Sequence, residues 1–114
     1  MGRGARAYVV QGDDRVVVVV TGEIDSDVAR DLARVLDKVR RTGLPVDLDM
    51  GGVTFLDSTG VQFLLRARRD LPGSSRLVRP SRAVRAVLAL MGMERLFEVV
   101  DEAVARPTVT PLAG

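Results

Sequence analysis

The sequence contains no cysteine, no histidine and no tryptophan among its 114 residues. Without cysteine there are no disulfides and no thiolate metal sites, so the fold depends on packing, as it can in a cytosolic domain. Without histidine the chain lacks the usual general base near neutral pH and the commonest zinc ligand. One Tyr and three Phe are too few to form a clear stacking platform for nucleic acid bases. We therefore expect a protein with no metal site and no bound cofactor.

The sequence also lacks a long apolar segment. Five consecutive valines at 16–20 are far too few to span a bilayer. No long apolar run precedes Gly12, so we expect no signal peptide, no membrane partner and a cytoplasmic location. The length, with 46% hydrophobic and 28% charged residues, suits one compact domain. We assign residues 1–106 to this domain and expect residues 107–114 to form a flexible C-terminal tail.

The stretch from residue 46 to residue 60 begins with the two-residue period of a strand, continues through a glycine pair and ends where a helical pattern begins. Acidic residues at 47 and 49 alternate with apolar ones at 46, 48 and 50, which predicts a strand with one buried and one wet face. The glycines at 51 and 52 are expected to end this strand. Val53, Phe55 and Leu56 are expected to anchor the connection that follows. A helical pattern then begins at Asp57 and Ser58, with Val61, Leu64 and Leu65 sharing one face: this is the element we expect to carry function.

Ser58 lies at or next to the N-terminus of this helix, where backbone N–H groups lack partners within the helix. One interpretation is a structural one, in which either Asp57 or Ser58 caps the helix. The other is that Ser58 accepts a phosphate. A phosphoserine here would add almost two negative charges beside Asp57 on an exposed surface, and it would alter docking without unfolding the domain.

Residues 53–60, Val-Thr-Phe-Leu-Asp-Ser-Thr-Gly, resemble the phosphorylation-site signature of the anti-sigma factor antagonists, single-domain proteins of the STAS family. Three further stretches, 22–25, 48–53 and 88–97, are similar to family motifs and occur in the family's order. Four ordered motifs agree by chance far less often than one short match does. The resemblance covers the whole chain except its last few residues.

The resemblance implies a phosphorylation switch. In this family a partner that is both anti-sigma factor and serine kinase binds ATP and phosphorylates the Ser of Asp-Ser-x-Gly, which implies Ser58 as the acceptor. The unphosphorylated protein would bind that partner and release the sigma factor, phosphorylation would abolish binding, and a serine phosphatase would reset the switch. The implied partner-binding residues are the following: Asp25, Asp57, Ser58, Thr59 and Gly60.

The remaining chain alternates strands and helices, which predicts a layered α/β domain. We expect a STAS-like fold, with about four helices packed on a small mixed β-sheet of four to five strands. A hairpin should open the chain, and the unbroken valines at 16–20 indicate a central strand covered on both faces. Relatives often carry Thr where this chain has Val28, so the cap of the first helix is expected at Ser26 or Asp27. Ser81 should cap a third helix with Met91 on its buried face, and residues 101–105 should form a last helical turn.

We expect no direct contact with nucleic acid and no enzymatic activity of this chain, which would be the substrate of the partner kinase, and three alternatives are weighed beside this expectation. Seven arginines between 66 and 85 suggest a nucleic-acid surface, a solvated helix face balanced by acids from the first half, or a docking face for an acidic protein. Asp25, Asp49 and Asp57 are candidates for a magnesium site in an enzyme, although the chain has no Gly-rich phosphate loop. Within the same fold, the alternative is a sensor or scaffold module that is never phosphorylated.

Overall fold

The computed structural model describes residues 4–102. Its elements follow in chain order: β1 (Arg6–Gln11), β2 (Val16–Ile24), a 3-10 turn (Ser26–Val28), α1 (Ala29–Arg40), β3 (Val46–Leu56), α2 (Ser58–Asp70), β4 (Arg76–Val78), α3 (Arg82–Leu90) and β5 (Glu98–Val100). The strands form one sheet in the order β1-β2-β3-β4-β5. The first pair is antiparallel and the others are parallel. The predicted mixed α/β sheet is confirmed, with three α-helices in the described residues where about four were expected.

The three helices share one face of the sheet. Their buried side chains form a single core with alternate residues of the strands. The helices contribute Leu32, Leu36, Val39, Phe63, Leu64, Ala67, Val84 and Leu88, and the three central strands contribute Val16, Val18, Val20, Val46, Leu48, Met50 and Leu77. Right-handed crossovers produce this arrangement when each new parallel strand is added on the same side of the last. Because all three helices begin beyond the C-terminal ends of the preceding strands, their N-termini lie at one end of the domain.

The central position predicted for the valine strand is confirmed. β2 pairs with β1 in the predicted hairpin and with β3 on its other side. All five valines are at most 5% exposed, including Val17 and Val19, which alternate with the core residues. A strand of this composition is covered on both faces and has no free edge, which removes the aggregation risk of an exposed apolar edge.

The expectation that the glycine pair ends the strand is wrong, because β3 runs without interruption from Val46 to Leu56. Pairing with β2 continues past the glycines, with one register shift that places Gly52 opposite Thr21 and a second one after Gly22. A Cβ added at Gly52 would come 2.7 Å from the Thr21 Cγ2 atom. The glycine therefore lets the two strands stay paired through an irregular region, which is a common use of glycine in strands.

The expectation that one face of β3 is wet is also wrong. Asp47 and Asp49 are only 2% and 6% exposed. Arg15 donates to Asp47 at 2.6 Å, and Arg76 donates to both of its carboxylate oxygens at 2.9 and 2.8 Å. Arg79 donates to Asp49 at 2.9 Å. Both carboxylates are thus buried beneath guanidinium groups, as buried charges must be if they are to persist.

The pKa of Asp47 reflects these contacts. Burial by itself would raise the pKa, since it disfavours the charged carboxylate. The hydrogen bonds and positive charges of Arg76 and Arg15 outweigh burial and hold the pKa of Asp47 below its ordinary value. The charged form of Asp47 is therefore part of the folded structure, and it links the start of β2 with β3 and β4.

The third helix is capped as predicted, because the Ser81 hydroxyl accepts from the Val84 N–H at 3.2 Å. Met91 was expected on the buried face, but it follows the last helical residue and is 55% exposed. Leu65 was also expected to be buried and is 47% exposed, because Phe63, Leu64 and Ala67 occupy the buried face of α2. The predicted tail, and most of the helical turn predicted at 101–105, lie outside the described residues.

Candidate functional site

The predicted site lies where β2 and β3 end side by side. Glu23 pairs with Phe55, Ile24 pairs with Leu56, and the N–H of Asp57 donates to the carbonyl of Ile24 at 3.1 Å. This pairing brings the loop at residue 25 next to the start of α2. Two of the motifs that resemble the family are therefore adjacent in space, although more than thirty residues separate them in the chain.

Asp57 is the residue that caps α2. Its carboxylate accepts from the Thr59 N–H at 2.8 Å, and its carbonyl accepts from the N–H groups of Gly60 at 3.0 Å and Val61 at 3.3 Å. The sequence did not decide whether Asp57 or Ser58 caps the helix, and the structure assigns the cap to Asp57. The N–H groups of Thr59 and Gly60, which lack i→i−4 partners within the helix, are both satisfied by this single residue, and its carbonyl also accepts the first regular helical bond, from Val61.

Ser58 is the first residue of α2 and its side chain is exposed. Its hydroxyl makes no hydrogen bond to any residue between 4 and 102. The capping role that was the main alternative to modification is filled by its neighbour. Ser58 therefore presents a free hydroxyl at the edge of the domain, where an enzyme can reach it.

Thr59 and Gly60 complete the first turn beneath Ser58. Thr59 is half-buried and faces α1, whereas Gly60 is fully buried. A Cβ at residue 60 would come within 2.7 Å of Leu56 Cβ and Cδ1. Glycine is required here because α2 begins directly against the end of β3. Gly60 thus lets the helix pack closely against the end of β3, and the exposed surface is formed by neighbouring residues such as Ser58.

Asp25 lies across from this turn and caps the 3-10 turn that precedes α1. Its carboxylate accepts from the Asp27 N–H at 3.0 Å. The expectation that Ser26 or Asp27 caps the first helix is wrong, because α1 is entered through the 3-10 turn and begins at Ala29. Asp25 is half-buried, so part of the residue stays exposed at the site. Its structural role as a cap is therefore compatible with a role in binding.

The carboxylates around Ser58 have no cationic neighbours in contact. Glu23, Asp25 and Asp57 form no ion pair with any described residue. They project from adjacent strand ends, so their negative potentials add over a distance comparable with the Debye length of about 10 Å at 0.1 M salt. These carboxylates give the immediate surroundings of Ser58 negative charge before any modification, while Arg30 and Arg82, in the first turns of α1 and α3, place positive charge elsewhere at the same end.

Phe55 is a surface residue that the sequence interpretation missed. It was expected to anchor the connection, but it is 50% exposed, whereas its neighbours Val53 and Leu56 are 2% and 6% exposed. The register shift at the end of β3 decides which of these side chains turns inward. An exposed aromatic ring three residues before Ser58 is a feature typical of binding surfaces.

Most of the arginine cluster between 66 and 85 is used within the protein. Five of its seven members form ion pairs with acids: Arg66, Arg69, Arg76, Arg79 and Arg85. Three of the acids concerned, Asp37, Asp47 and Asp49, come from the first half of the chain. A nucleic-acid surface requires cations that are free to contact phosphates, so the structure favours the balanced, structural interpretation of this cluster.

The structure also bears on the magnesium alternative. Asp49, one of the three candidate ligands, accepts from Arg79 and from the Gly51 N–H at 3.1 Å, so it is already occupied. Within residues 4–102 no three acidic side chains are grouped closely enough to hold a metal ion. Over the same range, no helix is both long and apolar enough to cross a membrane.

Comparison with known proteins is consistent with this geometry. The family model described as "Mlab, STAS domain" matches residues 8–101. The structure is similar to that of an anti-sigma factor antagonist from Mycobacterium paratuberculosis, with a TM-score of 0.77, 26% identity and 87% of each chain covered. No curated protein matches the sequence.

Two forms of another anti-sigma factor antagonist, SpoIIAA, share the fold. The unphosphorylated form has a TM-score of 0.63 and 22% identity over 85% of this chain and 88% of that one. The phosphorylated form, from Bacillus, has a TM-score of 0.62 and 20% identity over 85% of this chain and 91% of that one. With a family match over most of its length and a fold that agrees with it, the protein belongs to the STAS domain family.

Proposed function

We propose that the protein is an anti-sigma factor antagonist that is switched by phosphorylation at Ser58. The unmodified protein binds an anti-sigma factor that is also a serine kinase, and this releases the sigma factor. The kinase uses its own bound ATP to phosphorylate Ser58, the complex dissociates, and a serine phosphatase restores the binding form. The docking surface consists of Asp25, Asp57, Ser58 and Thr59, with Gly60 supporting it.

The observation that carries the proposal is the division of roles between Asp57 and Ser58. Asp57 caps α2 at 2.8 Å, and the Ser58 hydroxyl is exposed without a hydrogen-bond partner in the described residues. A phosphate on Ser58 would therefore replace no structural contact. The neighbouring N–H groups are already engaged by Asp57, so the phosphate would keep its charge exposed to a partner.

The acidic surroundings explain how one phosphate can act as a switch. A phosphoserine carries about −1.5 to −2 charges near neutral pH. Here it would stand beside three carboxylates that lack ion-pair partners in the described residues, Glu23, Asp25 and Asp57. A partner surface that fits the unmodified protein would be repelled by the added negative charge and would clash with the added volume of the phosphate. A loss of about 2.7 kcal/mol in binding free energy corresponds to roughly a hundredfold change in affinity.

Mass spectrometry of the protein isolated from its own cells, with identification of the proteins that co-purify, tests the proposal. We expect phosphate on Ser58 in part of the sample and a kinase-like anti-sigma factor bound to the unmodified part. Complete peptide coverage without phosphate under any growth condition would contradict the switch. The protein would then be assigned to the sensor or scaffold modules of the family.

Two substitutions sharpen this test in vitro. Ser58→Ala should fold normally, bind the partner permanently and resist phosphorylation, because the helix cap at Asp57 is intact. Ser58→Asp should bind more weakly than wild type, although one charge imitates a phosphate imperfectly. Binding of Ser58→Ala that is as weak as that of a phosphorylated sample would show that the hydroxyl contact, rather than added charge, controls the complex.

A further inference from the structure

The two edges of the sheet differ in how well they are protected against pairing with another strand. Within residues 4–102 the edges are β1 and β5. β5 has three residues, one of them Glu98, so it offers little backbone to a further strand. β1 has six residues, and its pairing with β2 runs from Arg6 to Gln11 without a bulge. Charged side chains, proline and bulges usually protect an edge, and β1 has none of them between residues 7 and 11.

The outer edge of β1 combines open backbone with an apolar surface. No described strand lies beyond β1, and alternate residues turn their N–H and C=O groups away from β2, toward this edge. Ala7 and Val9 pack against the core on the helix side of the sheet and are only partly buried. On the other side, Tyr8 is 46% exposed and Val10 is half-buried. A strand added here would gain backbone hydrogen bonds and would cover apolar side chains on both faces.

Charges of opposite sign stand at the two ends of this edge. Arg6 begins β1, and Asp13 and Asp14 form the turn after it, which the Gly12 N–H closes by donating to the Arg15 carbonyl at 2.9 Å. All three charged residues are exposed, and none forms an ion pair with a residue that the structure describes. At about 3.4 Å per residue, roughly 20 Å separates Arg6 from Asp13, too far for the two to meet within one chain. A second β1 that runs antiparallel to the first would bring these opposite charges together.

We propose that β1 is a dimerisation edge, which pairs antiparallel with β1 of a second copy of this chain across a two-fold axis perpendicular to the sheet. A symmetric interface of this kind is self-complementary, so every contact occurs twice. The second copy is favoured over an unrelated strand because it supplies acidic residues where Arg6 lies, and a basic residue at the other end. The exposed charges set the orientation, while the backbone hydrogen bonds and apolar contacts supply most of the affinity.

The register of the paired strands follows from the faces of the sheet. The two-fold axis keeps both helix layers on the same side, so residues of the same face oppose each other. Registers centred on Tyr8 or on Val9 meet this condition. The register centred on Val9 also places Arg6 directly opposite Gly12, where the acidic turn begins. In this register Tyr8 opposes Val10, and an aromatic residue opposite a β-branched one stabilises a sheet.

The dimer would leave the surface around Ser58 free. That surface lies where β2 and β3 end, and antiparallel pairing turns the second copy end over end. The two Ser58 hydroxyls would therefore lie at opposite ends of the dimer, each open to a partner. The inference does not depend on the switch that we propose, and its tests require neither a kinase nor a sigma factor.

Sedimentation velocity of the purified protein over a range of concentrations tests for the dimer. We expect wild type to shift from monomer to dimer as the concentration rises. Arg6→Glu should raise the dissociation constant of the dimer roughly tenfold, because it turns two attractive contacts into repulsive ones. Arg82→Glu is the matched control, since Arg82 is exposed, lies outside β1 and forms no ion pair within residues 4–102. It should dimerise as wild type does. Wild type that stays monomeric at every concentration overturns the inference.

Mixing two charge variants identifies the second copy as the partner. Asp13→Arg/Asp14→Arg should weaken the dimer as Arg6→Glu does, because each variant carries like charges at both ends of the edge. In an equal mixture, however, both contacts of the heterodimer join opposite charges, so the mixture should associate about as tightly as wild type. Circular dichroism checks that each variant is folded. A mixture of folded variants that associates no better than either variant alone shows that these charges do not meet.

A single cysteine tests the register. Because the chain has no cysteine, Val9→Cys introduces one thiol, and pairing centred on residue 9 brings two such thiols together. Opposing residues of an antiparallel pair have Cα atoms about 4.5–5.5 Å apart, a distance that a disulfide can span. Oxidation with diamide should crosslink Val9→Cys much faster than Val10→Cys, because residue 10 opposes residue 8 and its two copies are offset along the strands. Equal rates for the two variants would contradict this register and the pairing that it describes.

Discussion

The two ends of β3 use acidic residues in opposite ways. At its start, Asp47 and Asp49 are buried, and three arginines donate hydrogen bonds to them. Just past its end, Asp57 lies with Asp25 in a group of carboxylates that contact no cation among the described residues. The same residue type stabilises the sheet in one place and leaves a charged surface in the other.

The difference lies in what each carboxylate contacts. The first group is neutralised by arginines that lie 29 to 32 residues away in the chain, so it joins three strands. The second group accepts hydrogen bonds from backbone N–H groups only two residues away, and these contacts shape turns and leave the net charge intact. Carboxylates paired with arginine therefore stabilise the fold, whereas carboxylates that cap turns keep a net charge that a partner can contact.

The strongest test of this distinction is Asp47→Asn. The substitution keeps the shape of the side chain but leaves Arg15 and Arg76 without their counter-charge. Breaking a buried ion pair costs roughly 3–5 kcal/mol, and because both arginines are about one-quarter exposed we expect about 2–3 kcal/mol. Urea unfolding measures the loss. The control is Asp101→Asn, whose carboxylate is 71% exposed and pairs with the 50% exposed Arg85, so that its effect should stay below about 1 kcal/mol. Equal losses in the two variants would contradict the distinction.

The corresponding test at the acidic end is Phe55→Ala. Removing the exposed ring should weaken binding of the anti-sigma factor roughly tenfold, or about 1.4 kcal/mol, because aromatic residues often dominate interfaces. Stability should change by less than about 0.5 kcal/mol, as is usual for a surface position. Leu90→Ala, which removes an apolar side chain that is 84% exposed at the end of α3, is the control. Weakening of binding by both variants to the same extent would show that Phe55 has no special role.

The smallest effect concerns pH. The folded pKa of Asp47 lies below its value in the unfolded chain, which is about 3.9. Its contribution to stability is therefore fully present above that value and is lost as the pH falls through the folded pKa. Urea midpoints measured from about pH 5 to pH 2 should fall more steeply for wild type than for Asp47→Asn. Parallel curves would mean that Asp47 titrates alike in both states.

The sequence predicted the elements of the fold well because each has a local cause. Alternation, the valine run and the cap at Ser81 depend on residues close together in the chain. The burial of Asp47 could not be predicted in this way, because alternation gives the direction of a side chain and not what covers it. Its partners, Arg15 and Arg76, lie in other elements and become neighbours only when the sheet has formed.

The candidate site was likewise predicted only in part. The motif placed Ser58 at a helix start, and the cap was correctly narrowed to Asp57 or Ser58. The exposure of Phe55 was missed, because it depends on a register shift between β2 and β3 that no short pattern reveals. A groove between α1 and α2, lined by Ala29, Ala33 and Phe63 among others, was also missed, because it forms only when the two helices lie side by side.

The assignment of the helix cap to Asp57 also has a consequence for how the protein can evolve. Under the switch that we propose, the stability of the fold depends on Asp57 and Gly60, whereas signalling depends on Ser58. Since the two demands fall on different residues, a lineage can lose or regain the acceptor hydroxyl by a single substitution without first compensating for a damaged helix. A regulated and an unregulated version of this domain would then differ by one substitution that is nearly neutral for stability.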